Sequence, residues 1–152
     1  MNTILGSLYL VASSAGLQGV YWSKQSVPLL KNLKGSTKPI KNVALAAQEL
    51  SEYLKGDRKS FKVPLDLVGT DFQKKVWQKL AEIPYGETRS YKDIAKAVKN
   101  VNAFRAVGTA NGKNPVCVFI PCHRVIAADG TLGGYSGGLD KKVKLLKIER
   151  SL

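Results

Sequence analysis

The sequence predicts an α/β N-terminal domain followed by a mainly α C-terminal domain that contains a helix-turn-helix. Residues 3–11 and 17–23 are β-branched and aromatic runs, residues 42–55 have helical spacing, and the remaining chain alternates helical patterns with turns. The 152 residues, 44% of them hydrophobic, suit one packed domain or two small ones sharing a core. A linker near residues 56–60 divides the chain into domains 1–58 and 59–152.

The N-terminal domain is predicted as a hairpin and a helix. The two strand-like runs flank Ser13-Ser14-Ala15-Gly16, which is typical of a turn. Residues 26–40 contain two prolines and a glycine, which favours a loop with room for a short helix. Residues 42–55 form an amphipathic helix that Gly56 ends. No residue of this domain indicates a chemistry.

The C-terminal domain begins with an extended segment at 61–67 and a helix at 70–83. Thr70 and Gln73 have the spacing of a capping box, and Pro84-Tyr85-Gly86 ends the helix. The apolar residues of the helix at 70–83 fall on one face: Phe72, Val76, Trp77, Leu80 and Ile83.

Two short helices follow and have the outline of a helix-turn-helix. Ser90 and Asp93 form a second capping box, residues 99–102 are a polar turn, and helical spacing resumes at 103–112. The second helix carries small residues and one charge: Ala103, Arg105, Ala106, Gly108, Thr109 and Ala110. This composition favours close approach to a nucleic-acid backbone or minor groove over base reading in the major groove. An ordinary helical hairpin of the core is the alternative.

The last part of the chain is predicted from its prolines and glycines. Residues 115–120 are an apolar extended run, and residues 125–132 contain an Asp129-Gly130 turn. Residues 133–138 form a glycine-rich loop, and residues 139–151 a closing helix.

The charge balance indicates a polyanionic partner. The chain has 24 Lys and Arg against 11 Asp and Glu, a net charge of +13. Residues 1–60 carry 8 basic and 3 acidic side chains and residues 61–152 carry 16 and 8, so both halves are basic. Nucleic acid is the commonest polyanion, whereas a solubility surface or a growth-temperature bias toward Lys would be the alternatives. No membrane span or targeting signal is recognised, so we expect a cytoplasmic protein.

The cysteine and histidine content excludes a disulfide scaffold and a zinc site of usual type. The chain has two cysteines and one histidine, and such a zinc site needs four ligands of these types. We therefore expect no metal and no cofactor. Any Cys–His chemistry must use His123.

Cys122 is the candidate nucleophile. It lies between Pro121 and His123-Arg124, and cationic neighbours favour the reactive thiolate. A buried, inert cysteine is the alternative, and it is the preferred interpretation for Cys117 between two valines. If the chain is extended here, His123 points away from Cys122 and would act through a water molecule. Glu149 is a candidate to orient His123, although a surface Glu in a Lys-rich helix is more common.

Three further features could support a site. Asn114 before Pro115 suits a turn. The glycine-rich loop could cradle an anion, but it lacks the Gly-Lys-Ser/Thr ending of a phosphate loop. Tyr135 could stack on a planar ligand, and Ser136 could form a hydrogen bond with it.

At this point the residues resemble a known family, the O6-alkylguanine-DNA alkyltransferases. Pro121-Cys122-His123-Arg124-Val125 is similar to the family's active-site signature. The resemblance covers about residues 68–150 and includes these segments in family order: Phe72-Gln73, Val76-Trp77, Leu80, Ile83-Pro84-Tyr85-Gly86-Glu87-Thr88, Ser90-Tyr91, Arg105-Ala106-Val107-Gly108, Asn114-Pro115, Gly134-Tyr135-Ser136-Gly137-Gly138, Leu145-Leu146 and Glu149. It implies a ribonuclease-H-like N-terminal domain and a winged-helix-like C-terminal domain.

The resemblance also implies an activity. The protein would transfer a methyl or larger alkyl group to Cys122 in a single turnover, from O6 of guanine or from O4 of thymine. His123 would act through a water, oriented by Glu149, and Asn114 would brace the turn. Tyr91 would help protonate the leaving guanine.

The resemblance further implies that the partner is double-stranded DNA, bound by a monomer in the minor groove with little sequence specificity. Arg105 would fill the space of a flipped base. The other implied DNA contacts are Tyr91, Thr88, Ala103, Thr109 and Arg124. The implied guanine pocket is Tyr135, Ser136, Gly137 and Val125. A non-catalytic damage sensor or DNA-binding regulator on the same fold, and a Cys–His hydrolase, are the alternatives.

Overall fold

The computed structural model describes residues 1–28 and 37–152, which form two units, Met1–Val68 and Gly69–Leu152. The boundary lies after residue 68 rather than after residue 58 as predicted. Residues 59–68 belong to the first unit because their backbone pairs with it: the Leu17 amide donates to the Pro64 carbonyl at 2.8 Å, and the Asp66 amide donates to the Leu17 carbonyl at 2.9 Å.

The first unit consists of two small antiparallel ladders and a long helix. β1 (Asn2–Thr3) pairs with β2 (Gly6–Ser7), and β3 (Tyr9–Ala12) pairs with β4 (Leu17–Tyr21). The run 3–11, predicted as one strand, is interrupted by a turn in which Gly6 has a φ of +100°. A 3-10 turn at Lys24–Ser26 follows β4.

Helix α1 (Thr37–Lys55) begins earlier than the predicted residue 42, so residues 37–40 of the predicted loop 26–40 are helical. Part of that predicted loop, residues 29–36, lies outside the described residues. The core of the unit is formed by residues of the strands and of α1: Leu8, Val11, Leu17, Val20, Ala46, Leu50 and Tyr53.

The second unit is built around three helices, α2 (Asp71–Ala81), α3 (Tyr91–Ala97) and α4 (Phe104–Gly112). Both predicted capping boxes are present, with Thr70 and Gln73 on α2 and with Ser90 and Asp93 on α3. The buried Trp77 indole of α2 donates to the Ala110 carbonyl of α4 at 2.9 Å. This bond and the apolar face of α2 hold the two predicted helices of the helix-turn-helix against α2.

The turn between α3 and α4 has a defined geometry. Lys99 has a φ of +60°, the Lys99 amide donates to the Lys96 carbonyl, and the Asn100 amide donates to the Ala95 carbonyl. These two bonds are those of a Schellman motif, which ends a helix and satisfies its last carbonyls.

A short parallel ladder joins the start of α3 to the segment after Cys122. β5 (Arg89–Ser90) pairs with β6 (Val125–Ile126). The closing helix α5 (Leu139–Ile148) buries Leu145, Leu146 and Lys142. These elements bring Tyr91, Cys122 and the glycine-rich loop into one region.

Among the described residues, no helix is both long enough and apolar enough to span a membrane.

Candidate active site

The segment that carries both cysteines, residues 115–122, is a compact turn rather than the predicted extended run. Val118 has a left-handed φ of +76°, and the Ile120 amide donates back to the Val116 carbonyl at 3.0 Å. Pro121 (φ −80°, ψ 62°) is the centre of an inverse γ-turn that the Cys122 amide closes on the Ile120 carbonyl at 2.8 Å. A β-branched residue in the left-handed region is strained, so the surrounding contacts must hold this turn.

Asn114 supplies two of those contacts. Its Nδ2 donates to the Ile120 carbonyl at 2.8 Å, and its Oδ1 accepts from the Val116 amide at 3.0 Å. The side chain is buried, so both bonds are protected from water. The two ends of the turn are thereby tied to one amide group.

Cys122, His123 and Arg124 form one turn of 3-10 helix, and all three are buried. The expectation that Cys122 and His123 point to opposite sides was therefore wrong. Successive residues of a 3-10 turn are about 120° apart rather than on opposite faces. The turn directs Cys122 to Cys117 and directs both His123 and Arg124 to Glu149.

The buried Glu149 carboxylate binds both His123 and Arg124. The His123 Nε2 lies 2.9 Å from Glu149 Oε1, and Arg124 donates to both carboxylate oxygens at 2.7–3.1 Å. The Gly86 amide also donates to Oε2 at 3.2 Å. The structure thus brings His123 and Glu149 together, although they are distant in sequence.

Arg124 is not placed to contact DNA, contrary to the prediction. It is 6% exposed, its Nη1 donates to the Ile83 carbonyl at 2.6 Å, and its guanidinium lies over the Tyr85 ring. A buried arginine held by a carboxylate and a carbonyl is part of the interior network.

Burial lowers the pKa of His123, and the Glu149 carboxylate only partly opposes that effect. The ring is therefore neutral at pH 7. Since a carboxylate accepts hydrogen bonds, we assign the proton to Nε2, which leaves the basic lone pair on Nδ1.

The two cysteine sulfur atoms are in contact, at 3.9 Å, and both are free thiols in buried positions. The hydrogen bond from Cys122 lowers the pKa of Cys117 to about 7, and this contact together with burial raises the pKa of Cys122. The contact therefore couples the ionisation of the two thiols. The sequence favoured an inert Cys117, because the contact arises only from the turn.

A cavity of about 370 Å³ opens next to Cys122, a size suited to a small planar ligand. It is lined by residues of α3, α4 and the glycine-rich loop: Tyr91, Gly108, Asn111, Gly112, Cys122, Gly134, Tyr135 and Ser136. The predicted pocket residues Tyr135 and Ser136 are in this wall, and the Ser136 hydroxyl lies 3.3 Å from the Cys117 sulfur. Gly137 and Val125, also predicted, are not in it, and Val125 is fully buried.

Tyr91, the first residue of α3, is held between two glycines. A Cβ at Gly133 would lie 3.1 Å from its hydroxyl, and a Cβ at Gly108 would lie 3.8 Å from its ring. Burial, with a smaller contribution from Cys122, raises the pKa of Tyr91. Its hydroxyl therefore keeps its proton and can donate it at the cavity wall.

Lys142 is a buried cation that was not singled out from the sequence. Its Nζ donates to the carbonyls of Val125 (2.7 Å), Leu132 and Gly134 (3.3 Å), so it anchors the glycine-rich loop. Burial lowers its pKa to about 8, while Cys122 acts in the opposite direction. Its spacing could have predicted this burial. Lys142 lies one turn after Leu139 and one turn before Leu145 and Leu146, so it is on the buried side of α5.

Helix α4 exposes Arg105, Ala106 and Thr109 and buries Val107 and Ala110. Arg105, Ala106 and Thr109 of the predicted small-residue set therefore face solvent, whereas Ala110 of the same set is buried. Phe104, the first residue of α4, is 40% exposed. Two other predicted DNA contacts, Ala103 at the N-cap of α4 and Thr88 before β5, are half-buried.

Comparison with known proteins identifies the family. Residues 71–151 match the 6-O-methylguanine DNA methyltransferase DNA binding domain, and residues 1–67 match the ribonuclease-like domain of the same proteins. The chain is 45% identical over 152 residues to the constitutive methylated-DNA--protein-cysteine methyltransferase of Bacillus subtilis, covering 98% of this chain and 92% of that protein. It is 55% identical over 106 residues to the enzyme of that name from Methanosarcina barkeri, covering 70% and 67%.

The solved structures agree with this result and with the predicted fold class. The Mycobacterium tuberculosis OGT, in a crystal structure in complex with DNA, has a TM-score of 0.88 and 40% identity, covering 99% of this chain and 91% of that one. An archaeal O6-methylguanine DNA methyltransferase from Methanococcus jannaschii has a TM-score of 0.67 and 30% identity, covering 94% and 87%. The chain belongs to the 6-O-methylguanine DNA methyltransferase family, with a ribonuclease-like domain and a DNA-binding domain.

Proposed function

We propose that the protein repairs DNA by direct reversal, taking the alkyl group of O6-alkylguanine onto Cys122. The observation that carries this proposal is the position of Cys122 at a cavity of about 370 Å³, beside the buried His123–Glu149 pair. Family relatives are named for this methyl transfer from DNA to a protein cysteine, which supports the same activity here.

The proposed reaction is a displacement at the alkyl carbon. The Cys122 sulfur forms a C–S bond as the bond between that carbon and guanine O6 breaks. Cys122 holds its proton in the resting protein, so a base must remove it. His123 is that base, through a bridging water on Nδ1, and Glu149 stabilises the cation formed on the ring.

Two other groups assist the leaving guanine and the thiolate. Tyr91, protonated and at the cavity wall, donates a proton to the departing base. The Lys142 cation favours the Cys122 thiolate, because its charge lowers the pKa of that thiol. The product is a thioether, which has no carbonyl that water could attack, so each protein molecule acts once.

We propose that α4 enters the minor groove with its small exposed residues against the backbone. The net charge of +13 supplies the attraction to phosphate, and the absence of a row of polar side chains on this face gives little sequence specificity. Guanine O6 is out of reach inside a duplex, so the nucleotide must be flipped, with Arg105 filling its place.

The protein acts as a monomer in the cytoplasm. O4 of thymine is a second substrate to be tested.

The decisive experiment uses duplex DNA with a labelled methyl group on guanine O6. The wild-type protein should take up about one label per chain and then stop, because the acceptor is consumed. Cys122→Ala should take up none. No uptake by the wild type, or uptake by Cys122→Ala, would refute the proposal, and continued turnover on an acyl ester would indicate a hydrolase instead.

The role of Arg105 is tested by comparing duplex DNA with free O6-benzylguanine. Arg105→Ala should slow the reaction with duplex and leave the reaction with the free base unchanged, since only the duplex needs base flipping. Lys74→Ala, which removes a positive charge from the exposed side of α2, is the matched control. Equal losses on both substrates would show that Arg105 does not support flipping.

A further inference from the structure

We propose that Cys117 and Cys122 are an oxidative modification site, in which a peroxide joins the two thiols in an intramolecular disulfide that reducing agents reopen. Nothing in the alkyl-transfer reaction requires a second cysteine at this place. The proposal concerns the oxidation of the pair and holds whatever group Cys122 accepts. In this state Cys122 has no thiol, so it cannot act as a nucleophile until it is reduced.

The turn itself creates the pair. The two sulfur atoms are 3.9 Å apart because Val118, in the left-handed region, and the γ-turn at Pro121 bend the chain back between them. A disulfide needs about 2.05 Å, so the sulfurs must approach by about 2 Å, which side-chain rotation and a small adjustment of the turn can supply. No unfolding of the unit is needed to bring the two residues together.

The two thiols differ in access to a small oxidant. Cys122 is part of the wall of the solvent-connected cavity, whereas Cys117 is behind it, against the Ser136 hydroxyl and the Asn114 carbonyl. A peroxide therefore meets the Cys122 sulfur first. This arrangement is that of a reactive cysteine with a resolving cysteine beside it.

The chemistry balances in two steps. The Cys122 sulfur, deprotonated by His123 through water, attacks one peroxide oxygen. The O–O bond breaks and the leaving hydroxide takes up a proton, so a sulfenic acid and one water are formed. The Cys117 sulfur then attacks the Cys122 sulfur, the S–O bond breaks, and the hydroxide leaves as a second water with the remaining thiol proton. The pair loses two electrons and two protons, and hydrogen peroxide is reduced to two waters.

The electrostatics of the pair favour the second step. The hydrogen bonds from Cys122 and Ser136 lower the pKa of Cys117 to about 7, although burial opposes this effect. The Ser136 hydroxyl, 3.3 Å from the Cys117 sulfur, remains beside it when Cys122 is oxidised and favours the Cys117 thiolate, which is the form that attacks.

The test treats reduced full-length protein with a small excess of hydrogen peroxide. The wild-type monomer should lose about 2 Da and both titratable thiols together, and dithiothreitol should restore both. Since the chain has only these two cysteines, and Lys113 and Arg124 flank them, one tryptic peptide of residues 114–124 should contain the linkage. The oxidised protein should not react with O6-benzylguanine until it is reduced.

Cys117→Ser is the matched control, because it keeps a polar side chain of similar size and removes the resolving sulfur. It should gain about 16 Da and then about 32 Da at Cys122, and the second product should resist dithiothreitol. The proposal is overturned if wild type gives these same products, or if it forms a disulfide between two chains. The mass readout needs no alkyl transfer, so a failure of the repair activity would be seen separately in the benzyl reaction.

Discussion

Each unit of the protein contains one buried glutamate, and the two differ in what they bind. Glu49 of α1 accepts hydrogen bonds from the Lys62 and Val63 amides at 2.9–3.1 Å and pairs with Arg58 at 3.2 Å. Glu149, at the end of α5, binds His123, Arg124 and the Gly86 amide. They are 1% and 3% exposed, so burial alone does not distinguish them.

The difference lies in whether a partner can change its protonation. Backbone amides never titrate, so the carboxylate of Glu49 holds residues 62–63 and Arg58 against α1. The imidazole of His123 can take up and release a proton and is next to Cys122 in the chain. A buried carboxylate is therefore evidence for a reaction only when one of its partners can move a proton.

The largest expected effect is on the rate of alkyl transfer, which should depend on Glu149 and not on Glu49. Glu149→Gln removes the negative charge that would stabilise protonated His123, so the rate of benzyl transfer to the folded protein should fall by at least about tenfold. Glu49→Gln changes the same chemical group in the other unit and should leave that rate unchanged. The measurement is the rate of mass increase with O6-benzylguanine. An equal loss in both variants would mean that Glu149, like Glu49, only supports the fold.

Local patterns predicted much of the fold of the second unit. The capping boxes at Thr70 and Ser90 were predicted because capping depends on residues three positions apart. The exposure of Arg105, Ala106 and Thr109 on α4 also follows from local spacing, because positions on a helix face repeat every three to four residues. In the first unit, the break in the strand run at Gly6 was missed, since a β-branched run does not reveal where it turns.

The site was less accessible to sequence reasoning, because its contacts join distant residues. Glu149 was named mainly through the family resemblance, and nothing in a Lys-rich helix shows that it faces His123. The contact between Cys117 and Cys122 depends on a left-handed valine, which no propensity favours. The family resemblance implied a DNA contact for Arg124, but the carboxylate of Glu149 holds this side chain in the interior.

A second prediction concerns stability. Glu149→Ala leaves Arg124 buried without its carboxylate and should lower the free energy of unfolding of its unit by about 3–5 kcal/mol. Glu49→Ala leaves two amides unsatisfied, but Arg58 is partly exposed and can turn to water, so a loss of about 1–3 kcal/mol is expected. Trp22 and Trp77 are the only tryptophans and lie in different units, so urea unfolding of Trp22→Phe and Trp77→Phe backgrounds reports each unit separately. A larger loss for Glu49→Ala would reverse the comparison.

A third prediction uses pH. The pKa of His123 is lowered in the folded state by burial, so the unfolded chain binds a proton more readily than the folded one. The contribution of His123 to the stability of the second unit should be full above about pH 6.5 and fall as the pH drops below it, by at most about 1.4 kcal/mol per pH unit.

The single histidine makes this test specific. The carboxylates with lowered pKa values lose their contributions only below about pH 4.5, because their ordinary pKa values are 3.8 to 4.5: Asp93, Asp129 and Glu52. His123→Gln should therefore remove the slope between pH 6.5 and 5, and the first unit should show no slope there. A slope that persists in His123→Gln would assign the effect to another group.

The smallest expected effect compares the two arginines that pair with these glutamates. Arg124→Lys loses the two-pronged contact with Glu149 and the bond to the Ile83 carbonyl, in a site where water cannot replace them, so a loss of about 1–3 kcal/mol is expected. Arg58→Lys keeps a charge that can reach Glu49 from partly exposed surroundings, and should cost at most about 1 kcal/mol. The same urea measurement on both variants gives the difference. Equal losses would show that the two-pronged contact of the Arg124 guanidinium contributes no more stability than a single charge does. The contact with His123 would then be the one feature that distinguishes Glu149 from Glu49.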